Sequence, residues 1–161
     1  MPVTSATGLQ QLLWRAGASL LWLACAACVA PPAVPAQQQV AARLAGYEEV
    51  MRRMNFDQAA NFFTVTGQVS HADAPPIAGR EAIRAFLKSF AAYKVLAYHL
   101  TVDSTQADGD SATQAGTYTQ TVTLPQGNTV QVSGLFETAW QREADGQWRL
   151  ARMHTMPPVA K

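Results

Sequence analysis

The sequence has little charge, few cysteines and no basic excess. Its 161 residues include 12 lysines and arginines and 11 aspartates and glutamates, for a net charge of +1, and 48% of the residues are hydrophobic. This composition argues against a disordered chain, and near-neutrality argues against a nucleic-acid-binding protein, which usually carries a basic patch. Beyond residue 36 no uncharged apolar run reaches the roughly 20 residues of a transmembrane helix, so no polytopic membrane protein fits. The length allows one domain, or two very small ones.

Residues 1–36 are almost free of charge, and Arg15 is their one charged side chain. An uncharged apolar run at 16–30 is followed by a proline-rich stretch of small residues. This order is typical of a signal peptide that is cleaved after Ala36. We therefore expect export to the periplasm or the medium, with a mature domain at 37–161. A retained signal anchor is the alternative.

Both cysteines, Cys25 and Cys28, lie in the apolar run. The mature domain would therefore contain no thiol and no disulfide, although an exported protein is usually permitted disulfides. Lipidation of either cysteine, as in a bacterial lipoprotein, is a further alternative. An apolar leader offers no additional metal ligands, so we expect no metal at this pair.

The first part of the mature chain shows helical periodicity. Apolar residues at positions 40, 44, 47, 51 and 54 share one face of a predicted helix. Glu48 and Glu49 each precede an arginine by four residues, which favours ion pairs on its outer face. Asn55 is expected to cap a second, short helix. A strand at 64–71, a proline-rich turn and a helix at 80–90 follow.

After residue 91 the apolar period changes from helical spacing to two, which predicts strands. Turns at 107–110, 125–128 and 145–146 separate the later strands, and five threonines alternate with other residues along 111–124. Such a threonine-rich face suits an exposed sheet surface. Helices followed by long antiparallel strands predict an α+β fold with the helices packed on one face of the sheet.

Two motifs resemble those of the nuclear-transport-factor-2-like superfamily, a cone-shaped α+β fold. The segment 75–86, PPIAGREAIRAF, is similar to the superfamily's P-x-x-G-R-E-x-I-x-x-F, and the segment 139–152 is similar to its closing W-x-R…G-x-W-R hairpin. The resemblance covers residues 38–157. Members include scytalone dehydratase, ketosteroid isomerase and SnoaL-like polyketide cyclases. The resemblance implies N-terminal helices on a curved antiparallel sheet, with an apolar pocket open at one end. One fold hosts many activities, so the function is not implied.

The ketosteroid isomerase branch implies two candidate catalytic residues. Tyr47 falls at the position of its oxyanion-donating tyrosine, and His71 at the position of its proton-shuttling aspartate. Histidine ordinarily titrates near pH 6.5 and can act as a general base, while a tyrosine hydroxyl can stabilise an enolate oxygen. Structural roles remain open: Tyr47 as a core residue, and His71 as a solvent-exposed strand end.

The isomerase's second oxyanion donor is an acid on a late strand. The corresponding stretch here is expected to place Phe136 or Thr138 inward and Glu137 on the other face, so we expect neither a strong second acid donor nor steroid isomerisation. His99 faces either the pocket or the outer sheet, and a structural hydrogen bond is the alternative for His154. We predict the following residues to line the ligand pocket: Met51, Phe62, Phe86, His99, Tyr118, Phe136, Thr138 and His154.

These observations favour an exported SnoaL-like domain that binds a small apolar or weakly polar molecule. The alternative is an isomerase- or cyclase-type enzyme that uses His71 as general base and Tyr47 as oxyanion donor. Neither hypothesis calls for a cofactor, a metal or a nucleic acid. The threonine-rich strand also offers a sheet face through which a homodimer would form.

Overall fold

The computed structural model describes residues 33–158. Most of the predicted signal peptide, including Cys25 and Cys28, lies outside this range. Within it, no helix combines the length and apolar character needed to cross a membrane.

Three helices form within residues 33–158. They are α1 (Ala36–Arg52), α2 (Phe56–Ala60) and α3 (Arg80–Lys88). The first carries the predicted apolar face at positions 40, 44, 47 and 51, whereas Met54, predicted on the same face, lies beyond its end. The Asn55 side chain caps α2 by accepting a hydrogen bond from the Gln58 amide at 3.1 Å, as the capping pattern predicts. The third helix ends two residues before the predicted Phe90.

The predicted ion pairs on α1 form only in part. Glu49 pairs with both Arg52 and Arg53. Glu48 does not pair with Arg52, so that expectation is wrong. Its carboxylate instead accepts a hydrogen bond from the backbone N–H of Leu100 at 3.2 Å. Glu48 thus ties α1 to a strand.

Six strands form one sheet. They are β1 (Phe63–His71), β2 (Ile77–Ala78), β3 (Lys94–Asp108), β4 (Ser111–Thr123), β5 (Thr129–Arg142) and β6 (Trp148–Met156). The order across the sheet is β2-β1-β6-β5-β4-β3. Strands β1 and β6 pair in parallel, and every other pair is antiparallel. The predicted α+β class is confirmed, and the short β2 lies within the predicted proline-rich turn.

The side-chain alternation of β4 separates the two faces of the sheet. Thr113, Thr117 and Thr119 are exposed, as the threonine pattern predicts, while Gln114 and Tyr118 are buried beneath the helices. A strand alternates its side chains between faces, so one run of sequence supplies both the core and the outer surface.

The 75–86 motif joins α3 to β1. Gly79 has φ +95°, a conformation that favours glycine, and its N–H donates to the Gly67 carbonyl at 2.8 Å. The Arg80 Nε–H donates to the Phe63 carbonyl at 2.9 Å. The residues that carry the family resemblance in this segment therefore hold the fold together.

The second motif builds a closed, packed end of the domain. The buried Trp140 indole N–H donates to Gln114 Oε1 and to Thr138 Oγ1, both at 3.0 Å. Thr138 in turn donates to the Gln114 carbonyl at 3.3 Å. Trp148 is also buried, and its indole N–H donates to Gln39 Oε1 at 3.0 Å. The buried polar side chains of Trp140, Gln114, Thr138 and Trp148 therefore all have hydrogen-bond partners, as buried groups require.

Candidate functional site

A cavity of about 470 Å³ lies between α1, α3 and the helix-covered face of the sheet. We call it the central cavity. It occupies the end of the domain opposite Trp140, where β1 and β6 terminate and β5 begins. Exposed apolar side chains mark its mouth: Phe90, Val130 and Val132. We call this the open end.

Helix α1 contributes Tyr47 and Met51 to one wall of the central cavity, and Met54, just beyond its end, continues that wall. Met54 follows the helix in a left-handed conformation, with φ +56°. Its sulfur accepts a hydrogen bond from the Val95 backbone N–H at 3.5 Å. The end of α1 is thereby fastened to the strand that forms the opposite wall.

Three tyrosines, Tyr47, Tyr98 and Tyr118, carry the deeper polar groups of the cavity. Desolvation on burial raises the pKa of each phenol, so all three remain neutral hydrogen-bond donors at physiological pH. None of their hydroxyls bonds to another group in residues 33–158. In that same range Arg142 Nε is the one enclosed side-chain polar atom without a hydrogen bond. The tyrosine hydroxyls therefore retain contact with the cavity space.

The position of Tyr118 depends on a glycine in the neighbouring strand. Gly134 faces Tyr118 across the β4–β5 pair. A Cβ atom at residue 134 would lie 2.8 Å from the Tyr118 ring and 2.1 Å from the Met156 carbonyl oxygen. Glycine is therefore the residue that leaves room for this cavity-wall tyrosine.

His71 lies at the rim of the cavity, as the last residue of β1. Its Nδ1 is 2.9 Å from Thr155 Oγ1 on β6. The next residue, Ala72, has φ +47° and donates its N–H to the Thr155 carbonyl at 2.8 Å. The imidazole is exposed, but one of its two nitrogens is held by a neighbouring strand.

The structure brings both candidate catalytic residues to the same cavity. Tyr47 lies on the helical wall, with its ring packed edge-on against Phe62 and Phe63. His71 lies at the rim. Three of the eight predicted ligand-binding residues also line the cavity, namely Met51, Phe86 and Tyr118.

The other five residues predicted to line the pocket lie outside the central cavity. Phe62 packs beneath Tyr47, with the Arg43 guanidinium 4.3 Å from its ring centroid. His99 is exposed and faces Glu48, with 3.3 Å between Nδ1 and Oε1. Its neighbour Tyr98 is buried, because successive residues of a strand face opposite sides.

Phe136 and Thr138 point inward and Glu137 outward, as the predicted register requires. Both inward residues lie too far along β5 to reach the cavity and belong to the packed core instead. His154 bonds to Ser70 Oγ at 2.8 Å, the structural alternative considered for it. For Phe136 and Thr138 the sequence predicted the face of the strand correctly. It did not predict how far each residue lies along the strand from the cavity.

Most of the lining residues were not among the predicted site residues, including Tyr98, Gln120, Met153 and Thr155. Tyr98 could have been predicted from the alternating pattern of residues 95–102. In a half-buried strand, an inward-facing tyrosine at position 98 requires the neighbouring His99 to face outward. Thr155 has no comparable signal. It meets His71 only because β1 and β6 pair in parallel.

Among residues 33–158, those lining the central cavity include no Asp, Glu, Lys or Arg, and His71 is the one histidine among them. In the part of the chain that the structure describes, no group of three or more His, Cys, Asp or Glu side chains is arranged to hold a metal ion. The described cavity wall is therefore apolar and uncharged, with a few hydrogen-bonding groups.

Comparison with known proteins places the chain in a family. The model of the SnoaL-like domain matches residues 32–154. The chain has no match among curated protein sequences.

Several solved structures share the fold. A ketosteroid isomerase-like protein from Erwinia carotovora atroseptica is 16% identical with a TM-score of 0.69, over 78% of this chain and 97% of that one. A nuclear-transport-factor-2-like protein with a cystatin-like fold from Novosphingobium aromaticivorans is 16% identical with a TM-score of 0.64, over 77% and 82%. A Catenulispora acidiphila protein in complex with S-DNPA is 20% identical with a TM-score of 0.64, over 74% and 90%. The SnoaL-like domain match confirms the predicted superfamily, and these likenesses confirm its fold.

Proposed function

The chain belongs to the SnoaL-like domain family, and on that premise we propose that its central cavity binds a small, largely apolar, uncharged molecule. The observation that carries this proposal is the cavity itself. A volume of about 470 Å³ falls within the 300–1,000 Å³ that is typical of ligand pockets. Aliphatic and aromatic walls favour an apolar body, and the unpaired hydroxyls of Tyr47, Tyr98 and Tyr118 favour an oxygen acceptor on it.

The comparisons support ligand binding by the fold, because the similar Catenulispora acidiphila protein was solved in complex with S-DNPA. An ionised ligand is disfavoured, since the lining has no Lys or Arg to pair with an anion and no Asp or Glu to pair with a cation.

A thermal-shift screen with apolar and weakly polar compounds tests this function. A ligand at 100 times its dissociation constant stabilises the folded state by about 2.7 kcal/mol. Ala74→Trp, at an exposed rim position, should block the mouth and abolish the shift. Ala91→Trp, at an exposed position outside the lining, is the matched control and should preserve it. A shift that survives Ala74→Trp, or no shift across a broad library, would contradict the proposal.

The second candidate function is proton transfer next to a carbonyl. The observation that favours it is that Tyr47 and His71 line one cavity. The imidazole would accept a proton from carbon while the Tyr47 hydroxyl donates a hydrogen bond to the oxygen that gains negative charge. The imidazolium would then return the proton to a carbon of the same molecule, so that the base is regenerated.

Exchange of carbon-bound hydrogen for deuterium in bound ketones tests this activity. His71→Ala should slow exchange by about 10²–10⁴-fold, the usual contribution of a general base. Tyr47→Phe should slow it by about 10²–10³-fold, as for loss of one oxyanion donor. His99→Ala, outside the cavity, is the control. Exchange that is unaffected by His71→Ala would exclude this residue as the base.

Export of the domain is also proposed, with cleavage after Ala36. Cleavage after Ala36 would remove only the first residue of α1, which is partly buried against the core, and would keep the fully buried residues from Val40 onward. Mass spectrometry of the protein from the native host should give an N-terminus at Gln37. Retention of the leader, or a lipid at Cys25 or Cys28, would overturn this assignment.

A homodimer through the outer sheet face completes the proposal. The exposed Thr113, Thr117 and Thr119 provide a flat surface free of charge on β4. Light scattering should give a dimer mass for the wild type and a monomer mass for Thr117→Arg. A monomeric wild type at high concentration would remove this reading.

A further inference from the structure

Two histidines on adjacent strands each bond through Nδ1 to a hydroxyl on the other strand. His71 on β1 is 2.9 Å from Thr155 Oγ1 on β6, and His154 on β6 is 2.8 Å from Ser70 Oγ on β1. The imidazole of His71 borders the central cavity, whereas that of His154 does not. The parallel β1–β6 pairing creates both contacts, because it places Ser70 opposite His154 and His71 opposite Thr155.

The two hydroxyls differ in what else they contact. Thr155 Oγ1 also donates to the backbone carbonyl of Ser70, at 3.4 Å. A hydroxyl has one proton, so Thr155 can donate to that carbonyl only if it accepts the proton of His71 Nδ1. Ser70 Oγ has no other partner in residues 33–158, so it is free to donate to His154 Nδ1.

The main chain beside His71 is held by the same residue. Ala72 has φ +47° and donates its N–H to the Thr155 carbonyl at 2.8 Å. A left-handed alanine is strained and persists only where the surroundings impose it. Thr155 therefore restrains residues 71 and 72 through both its side chain and its main chain.

We propose that Thr155 is a positioning residue that holds neutral His71 as the Nδ1–H tautomer. Nε2 is then the unprotonated nitrogen, and it is the one not engaged with the protein. The hydrogen bond made by one ring nitrogen of an imidazole determines which of the two nitrogens carries the proton. This inference rests on the second proposed function, for which it identifies Nε2 as the atom that would accept the proton. His154 takes the opposite tautomer, with the proton on Nε2.

Nitrogen-15 NMR of the ligand-free protein tests the assignment, at a pH where both imidazoles are neutral. In the wild type, His71 should show a protonated Nδ1 and an unprotonated Nε2, and His154 the reverse. Thr155→Val should shift His71 from mostly Nδ1–H to mostly Nε2–H, and Thr155→Ser, which keeps the hydroxyl, should restore the wild-type pattern. Ser70→Ala is the matched control. It keeps the backbone carbonyl of residue 70 and should leave the His71 tautomer unchanged.

A wild-type His71 that carries its proton on Nε2 would overturn the proposal, and this measurement needs no variant. An unchanged His71 in folded Thr155→Val would overturn the role of Thr155. The readout is separate from ligand binding and from carbon–hydrogen exchange. A correct tautomer without exchange would reject the enzyme alone, while exchange with the wrong tautomer would reject only the inference.

Discussion

The two ends of the sheet use polar side chains in opposite ways. At the closed end, Trp140, Gln114 and Thr138 are buried and bonded to one another. At the open end, Tyr47 and Tyr98 are equally buried, yet their hydroxyls bond to nothing else in the described chain. Strand β4 runs from one end to the other and contributes to both, with Gln114 at the closed end and the cavity-lining Tyr118 at the open end.

The difference separates what stabilises the fold from what is available for binding. A buried polar group that already has its partners contributes to stability and cannot serve a ligand. A donor that faces a cavity contributes little to folding and is available to an incoming acceptor. Of the two non-glycine residues with positive φ in residues 33–158, Met54 lines the cavity and Ala72 directly follows the rim residue His71.

The largest expected effect is at the closed end. Trp140→Ala should lower the free energy of unfolding by about 3–5 kcal/mol, because it removes a buried ring and leaves a cavity. Phe86→Ala at the open end should cost less, about 1–2 kcal/mol, since this half-buried side chain already borders empty space. Urea unfolding measures both. Equal losses would show that the two ends contribute alike to stability.

Deletion of single hydroxyls sharpens the same comparison. Thr138→Val should cost about 1–2 kcal/mol, because Trp140 and the Gln114 carbonyl each lose a partner. Tyr98→Phe should change stability by less than about 0.5 kcal/mol, because its hydroxyl has no partner to lose. A destabilised Tyr98→Phe would reveal a hidden bond at the open end.

Relief of backbone strain should give a smaller, opposite effect. Ala72→Gly should raise the free energy of unfolding by up to about 1 kcal/mol, because glycine adopts φ +47° without the penalty of a Cβ atom. Ala74→Gly, in the same loop without positive φ, is the control and should not stabilise. Calorimetry would decide, and a destabilised Ala72→Gly would mean that residue 72 is not strained.

The smallest effect concerns an exposed ion pair at the closed end. The hydrogen bond from Arg149 lowers the pKa of Asp145 from its ordinary 3.8 to about 2. A carboxylate with a depressed folded-state pKa stabilises the fold above its unfolded pKa and loses that contribution as pH falls. Asp145→Asn should therefore be slightly less stable than the wild type above about pH 4 and equal to it near about pH 2. A difference independent of pH would contradict this.

Sequence periodicity predicted most of the fold and part of the site. The apolar spacing of α1, the capping by Asn55 and the alternation of β4 agree with the structure, because each depends on neighbours within a few residues. The prediction failed for Phe62, Phe136, Thr138, His99 and His154 as cavity residues. The pattern of a strand gives the face on which a side chain lies, but not whether a neighbouring element fills the space above it.

The sequence by itself determined the α+β class and the positions of the long strands, which follow from local periodicity and turns. Its motifs determined the superfamily, and the resemblance to that superfamily identified Tyr47 and His71 as candidates. Only the tertiary structure decided that one end is packed and the other open, and that Thr155 meets His71. Both depend on elements far apart in the chain: the parallel pairing of β1 with β6, and helices that fill the closed end but not the open one.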